Sequence, residues 1–139
     1  MNFETQTRGQ LERTLSQRVQ ALYRKQLGQQ PSRVQCQIFD GKVIIILEDS
    51  ITKTEQVLVA SGQEDLAEQV REDLDKAFDP QLTELIQEVI GIEVVDILTD
   101  ATLKTGRMGT IAVLADTPQF REPQGARKLR SDTGVEDTE

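Results

Sequence analysis

The stretch RVQCQIFDGKVIIILED, residues 33–49, constrains this chain more than any other part of it. Val34, Cys36 and Ile38 alternate with Arg33, Gln35 and Gln37, the period-two pattern of a strand with one buried face. Asp40-Gly41 is the dipeptide of a two-residue type I′ hairpin turn, which needs positive φ at both positions. A loop that short sets the register: Phe39 opposite Lys42, Ile38 opposite Val43, Cys36 opposite Ile45, and Val34 opposite Leu47. The last three pairs place six apolar side chains on one face, and a one-residue slip would turn them all away from the core. The other face carries Gln35, Gln37 and Phe39 but also Ile44 and Ile46. That face is too apolar for plain solvent exposure. It is expected to be covered at least in part, by a second copy of the chain or by the N-terminal helix.

The remaining elements arrange themselves around this hairpin. Leu11, Leu15, Val19 and Leu22 recur at helical spacing, which predicts an amphipathic helix from about Thr7 to Leu27, stopped by Gly28 with Pro31 close behind. Thr52-x-x-Glu55 and Ser61-x-x-Glu64 both read as capping boxes. The first opens a helix of two turns and the second a longer one ending near Phe78. Asp79-Pro80 then reads as a restart, with Asp79 as N-cap and Pro80 at the first helical position. Leu82, Leu85, Ile86, Val89 and Ile90 supply the apolar face of this last helix, which Gly91 ends. Ile92–Asp100 and Gly109–Asp116 read as a third and a fourth strand. The order α-β-β-α-α-α-β-β fits one α+β domain, a two-layer sandwich of a four-stranded antiparallel sheet, made of two hairpins, with helices on one face. The folded unit is expected over residues 1–116. Residues 117–139, with two prolines, two glycines and charges of both signs, are expected to form a disordered tail.

Composition narrows the function. A chain of 139 residues supports a single core. Histidine is absent and cysteine occurs once, as Cys36. The usual neutral-pH base and commonest metal ligand are therefore missing, and so is any intramolecular disulfide or CxxC motif. The net charge of −8 is unevenly spread. Residues 1–33 carry six basic and two acidic side chains, a net of +4, whereas residues 40–100 carry four basic and sixteen acidic, a net of −12. An acidic body opposes approach to a polyanion, so nucleic acid bound through the basic first helix is the least favoured function. The basic helix is instead expected to lie beside acidic helices of this subunit or a neighbour, with Arg18, Arg24 and Lys25 as interface candidates. The longest apolar run, Val43–Leu47, is far too short to span a membrane, and the first 30 residues hold neither the apolar segment nor the small-residue cleavage site of a signal peptide. A cytoplasmic protein is expected, and an unpaired cysteine suits that reducing compartment.

The densest polar cluster is Thr99–Arg107. Thr102, Lys104, Thr105, Gly106 and Arg107 offer hydroxyls, cations and backbone amides that could hold an anion or serve a partner. The spacing is not that of a phosphate-binding Walker loop, and a polar hairpin turn needs no ligand at all. Lys53, between Thr52 and Thr54, echoes the cluster, although the capping box already accounts for its neighbours. Glu64, Glu68 and Glu72 share a helix face that reads as solvated, with no calcium loop among them. Cys36 alternates with apolar residues and reads as a small buried hydrophobe. No catalytic residue, metal ligand or cofactor site is assigned.

Two stretches together, Gly9–Gly62 and Gly91–Asp116, resemble the MpsC-like family of small bacterial proteins. The shared features are a helix leading into Gly-x-x-Pro (Gly28, Pro31), the strand hairpin, and an "LT-x-x-E" helix start that here reads Ile51-Thr52-Lys53-Thr54-Glu55. The closing "TD-x-x-x-KTGR" loop (Thr99, Asp100, Lys104, Thr105, Gly106, Arg107) completes the set. The resemblance covers about residues 8–116. It implies a small cytoplasmic accessory protein of a membrane-potential-generating system linked to cation and inorganic-carbon uptake, without established catalytic residues. The expected function is therefore non-enzymatic. A homodimer would serve a membrane ion or bicarbonate uptake system by protein contact, with Ile44, Ile46 and Phe39 as further interface candidates. The alternative is a small-anion or nucleotide sensor built on the Lys104–Arg107 loop, with Lys53 as a possible helper.

Overall fold

The computed structural model describes residues 6–121. Helix α1 (Arg8–Leu27) begins in a reciprocal cap. The Thr7 hydroxyl accepts from the Gln10 N–H at 3.1 Å, and the Gln10 side chain accepts from the Thr7 N–H at 2.8 Å. Gly28 closes the helix in the left-handed conformation, φ 71°. Its buried stripe is Leu11, Leu15, Val19 and Tyr23. Tyr23 takes the last position expected of Leu22, which packs at the margin of the core.

Strands β1 (Arg33–Phe39) and β2 (Lys42–Glu48) pair in the expected register, from Arg33 opposite Glu48 to Phe39 opposite Lys42. The turn departs from type I′. Asp40 has φ 52°, but Gly41 is not among the positive-φ glycines. The Gly41 carbonyl accepts from the Leu114 N–H at 2.8 Å, which ties the turn to the neighbouring strand and orients its second peptide. Strands β3 (Val94–Thr102) and β4 (Arg107–Leu114) form the second hairpin. The sheet is antiparallel throughout, in the order β1-β2-β4-β3. Pairing in the second hairpin runs to Thr102 opposite Arg107, so the expected long loop shortens to a turn at residues 103–106.

Helix α2 (Lys53–Ala60) starts in the expected Thr52–Glu55 capping box. Helix α3 (Glu64–Ile90) differs from expectation twice. Ser61 does not cap it: Ser61 closes α2 with its hydroxyl donating to the Val57 carbonyl at 2.8 Å, and Gln63 precedes α3 with no side-chain cap. Nor does Asp79-Pro80 restart the chain. One helix runs through Pro80, so the two expected helices are one and the described residues hold three in all. An interior proline costs about 3 kcal/mol. Here Phe78, Leu82, Leu85 and Ile86 are all buried on one continuous face, and at roughly 1.5–3 kcal/mol per large apolar side chain that burial outweighs the break.

The α+β reading holds, with a four-stranded antiparallel sheet carrying its helices on one face. Cys36, Ile38, Val43, Ile45, Leu47, Met108, Ala112 and Leu114 line that face, and α1 and α3 cover it. Packing continues past Asp116: Pro118 is buried, Phe120 lies against the core, and the Arg121 N–H donates to the Gln6 carbonyl at 2.9 Å. The rest of the expected tail, 122–139, lies outside the described residues.

Candidate functional site

The strand registers determine the second face of the sheet row by row. Gln37, Ile44, Ile111 and Leu98 form one row across β1, β2, β4 and β3, and Gln35, Ile46, Gly109 and Asp100 form the next. Phe39, Lys42, Val113 and Asp96 border them on one side, and Arg33, Glu48, Arg107 and Thr102 on the other. Both rims carry charge, and the middle is apolar on β2 and β4, flanked by Gln35 and Gln37 on β1 and by Leu98 and Asp100 on β3. Phe39 is 59% exposed, Leu98 55% and Ile111 39%, while Ile44 and Ile46 are half-buried by neighbouring strands alone. The N-terminal helix does not cover this face, contrary to one of the two expected covers. Its apolar stripe is spent on the core side, in the cluster that also holds Ile38, Val43 and Ile45. The concave surface continues round the outer edge of β3, a groove of about 640 Å³ shared between Ile44, Ile46, Leu98 and Ile111 of the open face and Asp75, Lys76 and Asp79 of α3.

Carboxylates occupy backbone donors on both edges of the sheet. Glu12 accepts from the Ile38 N–H of β1 at 2.8 Å. On β3, Asp96 accepts from the Ile97 N–H at 3.0 Å and Asp100 from the Ala101 N–H at 2.8 Å, next to a bulge between Val94 and Asp96. Such side chains take the donors that an added strand would need.

The hairpin tip gathers Thr102, Lys104, Thr105, Gly106 and Arg107. The Thr102 and Thr105 hydroxyls bond each other, and Gly106 turns the chain at φ 75°. Arg107 Nε lies 3.0 and 3.1 Å from the two oxygens of Glu48. The Ser50 N–H donates to the Gly106 carbonyl at 3.0 Å, so the β2–α2 connection docks on the tip while Lys53 stays exposed on the first turn of α2. Lys104 borders a groove of about 700 Å³ whose wall includes Glu64, Asp65, Glu68, Glu72, Asp75 and Asp100. Six carboxylates repel an anion there, and the Arg107 cation is already paired.

A buried ion pair lies behind that groove, and it was not singled out from the sequence. Arg71 donates from Nη2 to Glu55 Oε1 at 2.6 Å and from Nε to Glu55 Oε2 at 2.8 Å. It also reaches Asp75 at 3.3 Å, the Ser50 carbonyl at 3.3 Å and Met108 Sδ at 3.4 Å. Burial pushes the Glu55 carboxyl up, but the hydrogen bonds from Arg71 and Thr52 outweigh it and hold the group below its ordinary range. Asp75 goes the other way: burial, joined by the Asp79 and Glu55 charges, raises it by more than Arg71 lowers it. Asp79 is raised by burial. Burial likewise pushes the Cys36 thiol up to about 11, the behaviour of an inert core cysteine. Spacing carries the signal for Arg71, four residues after Ala67 and seven before Phe78, on the buried stripe of α3. The capping box had accounted for Glu55 without its partner.

Of the basic helix, Arg18 meets Glu88 of α3 at 2.6 Å, and Arg24 and Lys25 occupy its last turn, where cations complement the helix dipole. Among the described residues, no three His, Cys, Asp or Glu side chains converge on a metal position, and no helix is long and apolar enough to cross a membrane.

The fold and this face define an α+β domain with one side of its sheet packed and the other open. The family model described as "Na+-translocating membrane potential-generating system (MpsC)" matches residues 7–116, and the chain belongs to that family. Neither the curated proteins nor the solved structures contain a match to it.

Proposed function

We propose that this chain is a non-enzymatic accessory protein of a membrane Na+-translocating system, working on the cytoplasmic side as a homodimer that regulates the system through protein contact. The observation that carries this reading is the open sheet face, with Leu98 and Ile111 exposed around Ile44 and Ile46. Apolar surface costs about 25 cal/mol for each Å² left in water, and a contiguous patch of it marks a contact site. The family description names a system that moves Na+ across a membrane. A chain whose described helices do not cross a membrane takes part in such a system by binding a component that does. The sequence resemblance extends the reading to inorganic-carbon, or bicarbonate, uptake.

The test is complementation of a strain lacking the gene with the unaltered chain or with Ile111→Lys, following Na+-dependent membrane potential and bicarbonate uptake. Ile111 is a surface position, where substitution shifts stability by about 0.5 kcal/mol or less. The substituted chain is expected to fold and to lose the rescue. Full rescue by it would overturn the reading.

A further inference from the structure

We infer that the open face binds a second copy of this chain face to face, about a two-fold axis parallel to the strands and between β2 and β4, so that β1 of each copy covers β3 of the other. The inference rests on reading this face as a docking surface, and it names the occupant and the geometry.

Charge selects a second copy. The chain carries −8 in all, yet the face holds three basic residues (Arg33, Lys42, Arg107) and three acidic ones (Glu48, Asp96, Asp100), a net of zero. Two copies meeting at the α3 flank would set Glu64, Glu68 and Glu72 against their equivalents. At the open face they meet without that repulsion. Carboxylates on edge donors of β1 and β3 disfavour the other common route, a continuous sheet across two subunits.

A two-fold contact requires the face to complement itself. Rotation about an axis along the strands exchanges β1 with β3 and β2 with β4 within each row. Ile44 then lies against Ile111 of the partner subunit, and Glu48 against Arg107 of the partner subunit. Ile46 already leans over Gly109, where a Cβ would stand 3.4 Å from Ile46 Cδ1, so the middle of the face is level and apolar. An axis across the strands would instead lay β3 on β3. That brings Asp96 and Asp100 of both copies together, four carboxylates losing water with no cation among them. Strand directions stay aligned in the first arrangement, as in packed β-sandwiches.

Light scattering on the full chain at micromolar concentration, after size exclusion, tests each step. The unaltered chain is expected at twice the monomer mass and Ile111→Lys at one copy. Glu48→Arg and Arg107→Glu should each lose the dimer alone, because like charges then meet across the axis as well as within the chain, where Arg107 and Glu48 are paired. Mixed in equal amounts they should recover it. The charge-swap pair sits on the rim, so it still reports if Ile111→Lys fails to fold. A monomeric unaltered chain, or a dimer that survives Ile111→Lys, overturns the proposal. Dimer loss in Ile111→Lys without recovery in the mixture overturns the axis. An unaltered chain that is a monomer yet needs Ile111 for uptake removes the second copy and leaves the docking reading standing; an unaltered dimer whose monomeric Ile111→Lys form still supports uptake does the reverse.

Discussion

Arg71 and Glu55 form the most consequential contact in the interior. Both side chains are almost wholly buried, at 5% and 0% exposure, and they join α2, α3 and the Ser50 connection to the end of the sheet near Met108. Truncating one member of such a pair strands the other charge out of water. Arg71→Ala is therefore expected to cost about 3–5 kcal/mol, read as a drop in urea midpoint with an unchanged m value. Asp79 supplies a pH-dependent counterpart. Its folded carboxyl lies above its ordinary range because of burial, so the folded state holds the proton more tightly than the unfolded state does. Stability from that group falls as pH rises from about 3.9, the unfolded value, through the raised folded value. Asp79→Asn is expected to raise the melting temperature at neutral pH, with the gain vanishing in acid. An equal gain at every pH would show that ionisation is not the cause. Glu55 has the opposite sign, since its folded pKa is lowered: its contribution is complete above the ordinary glutamate value and is lost as pH falls through the folded one. Little of this was legible beforehand. A capping box explains Glu55 locally, while its ion pair with Arg71 depends on how two helices pack.

At the scale of elements, the first hairpin could be read to the residue and the long helix could not. Period-two alternation and a two-residue turn act within a few positions, so local chemistry alone decides which side chains face the core. The turn's second dihedral escaped because Gly41 is bonded to Leu114, more than seventy positions away. Asp79-Pro80 carries a strong local signal for a break, and it was overruled by Phe78 and Leu82 packing into one core from either side of it. Pro80 lacks the N–H that would donate to the Lys76 carbonyl. Pro80→Ala restores that bond and is expected to stabilise the protein by about 2 kcal/mol, the interior-proline cost less the entropy returned to the unfolded chain. Thermal unfolding checks this, and a fall in melting temperature would show a bend at Pro80 that the packing needs. The polar tip was legible in composition but not in role. Its residues come together as read, yet Arg107 is engaged by Glu48 and Lys104 borders a wall of carboxylates.

For the molecule as a whole, the division of charge between a basic first helix and an acidic body is partly answered within one chain, where Arg18 meets Glu88. What stays open is the face whose Ile44 and Ile46 looked too apolar for water. Its rows extend onto β4 and β3, adding Ile111, Val113 and Leu98. Those positions could not be joined to the first hairpin from sequence, because 58 residues separate β2 from its partner β4. Methyl-resolved NMR of isoleucine over a dilution series reports on that face directly. Ile44, Ile46 and Ile111 are expected to shift with concentration, while Ile45 and Ile86 in the core hold still. Shifts that spare the three open-face methyls, or that never depend on concentration, would contradict a docking face that takes a second copy.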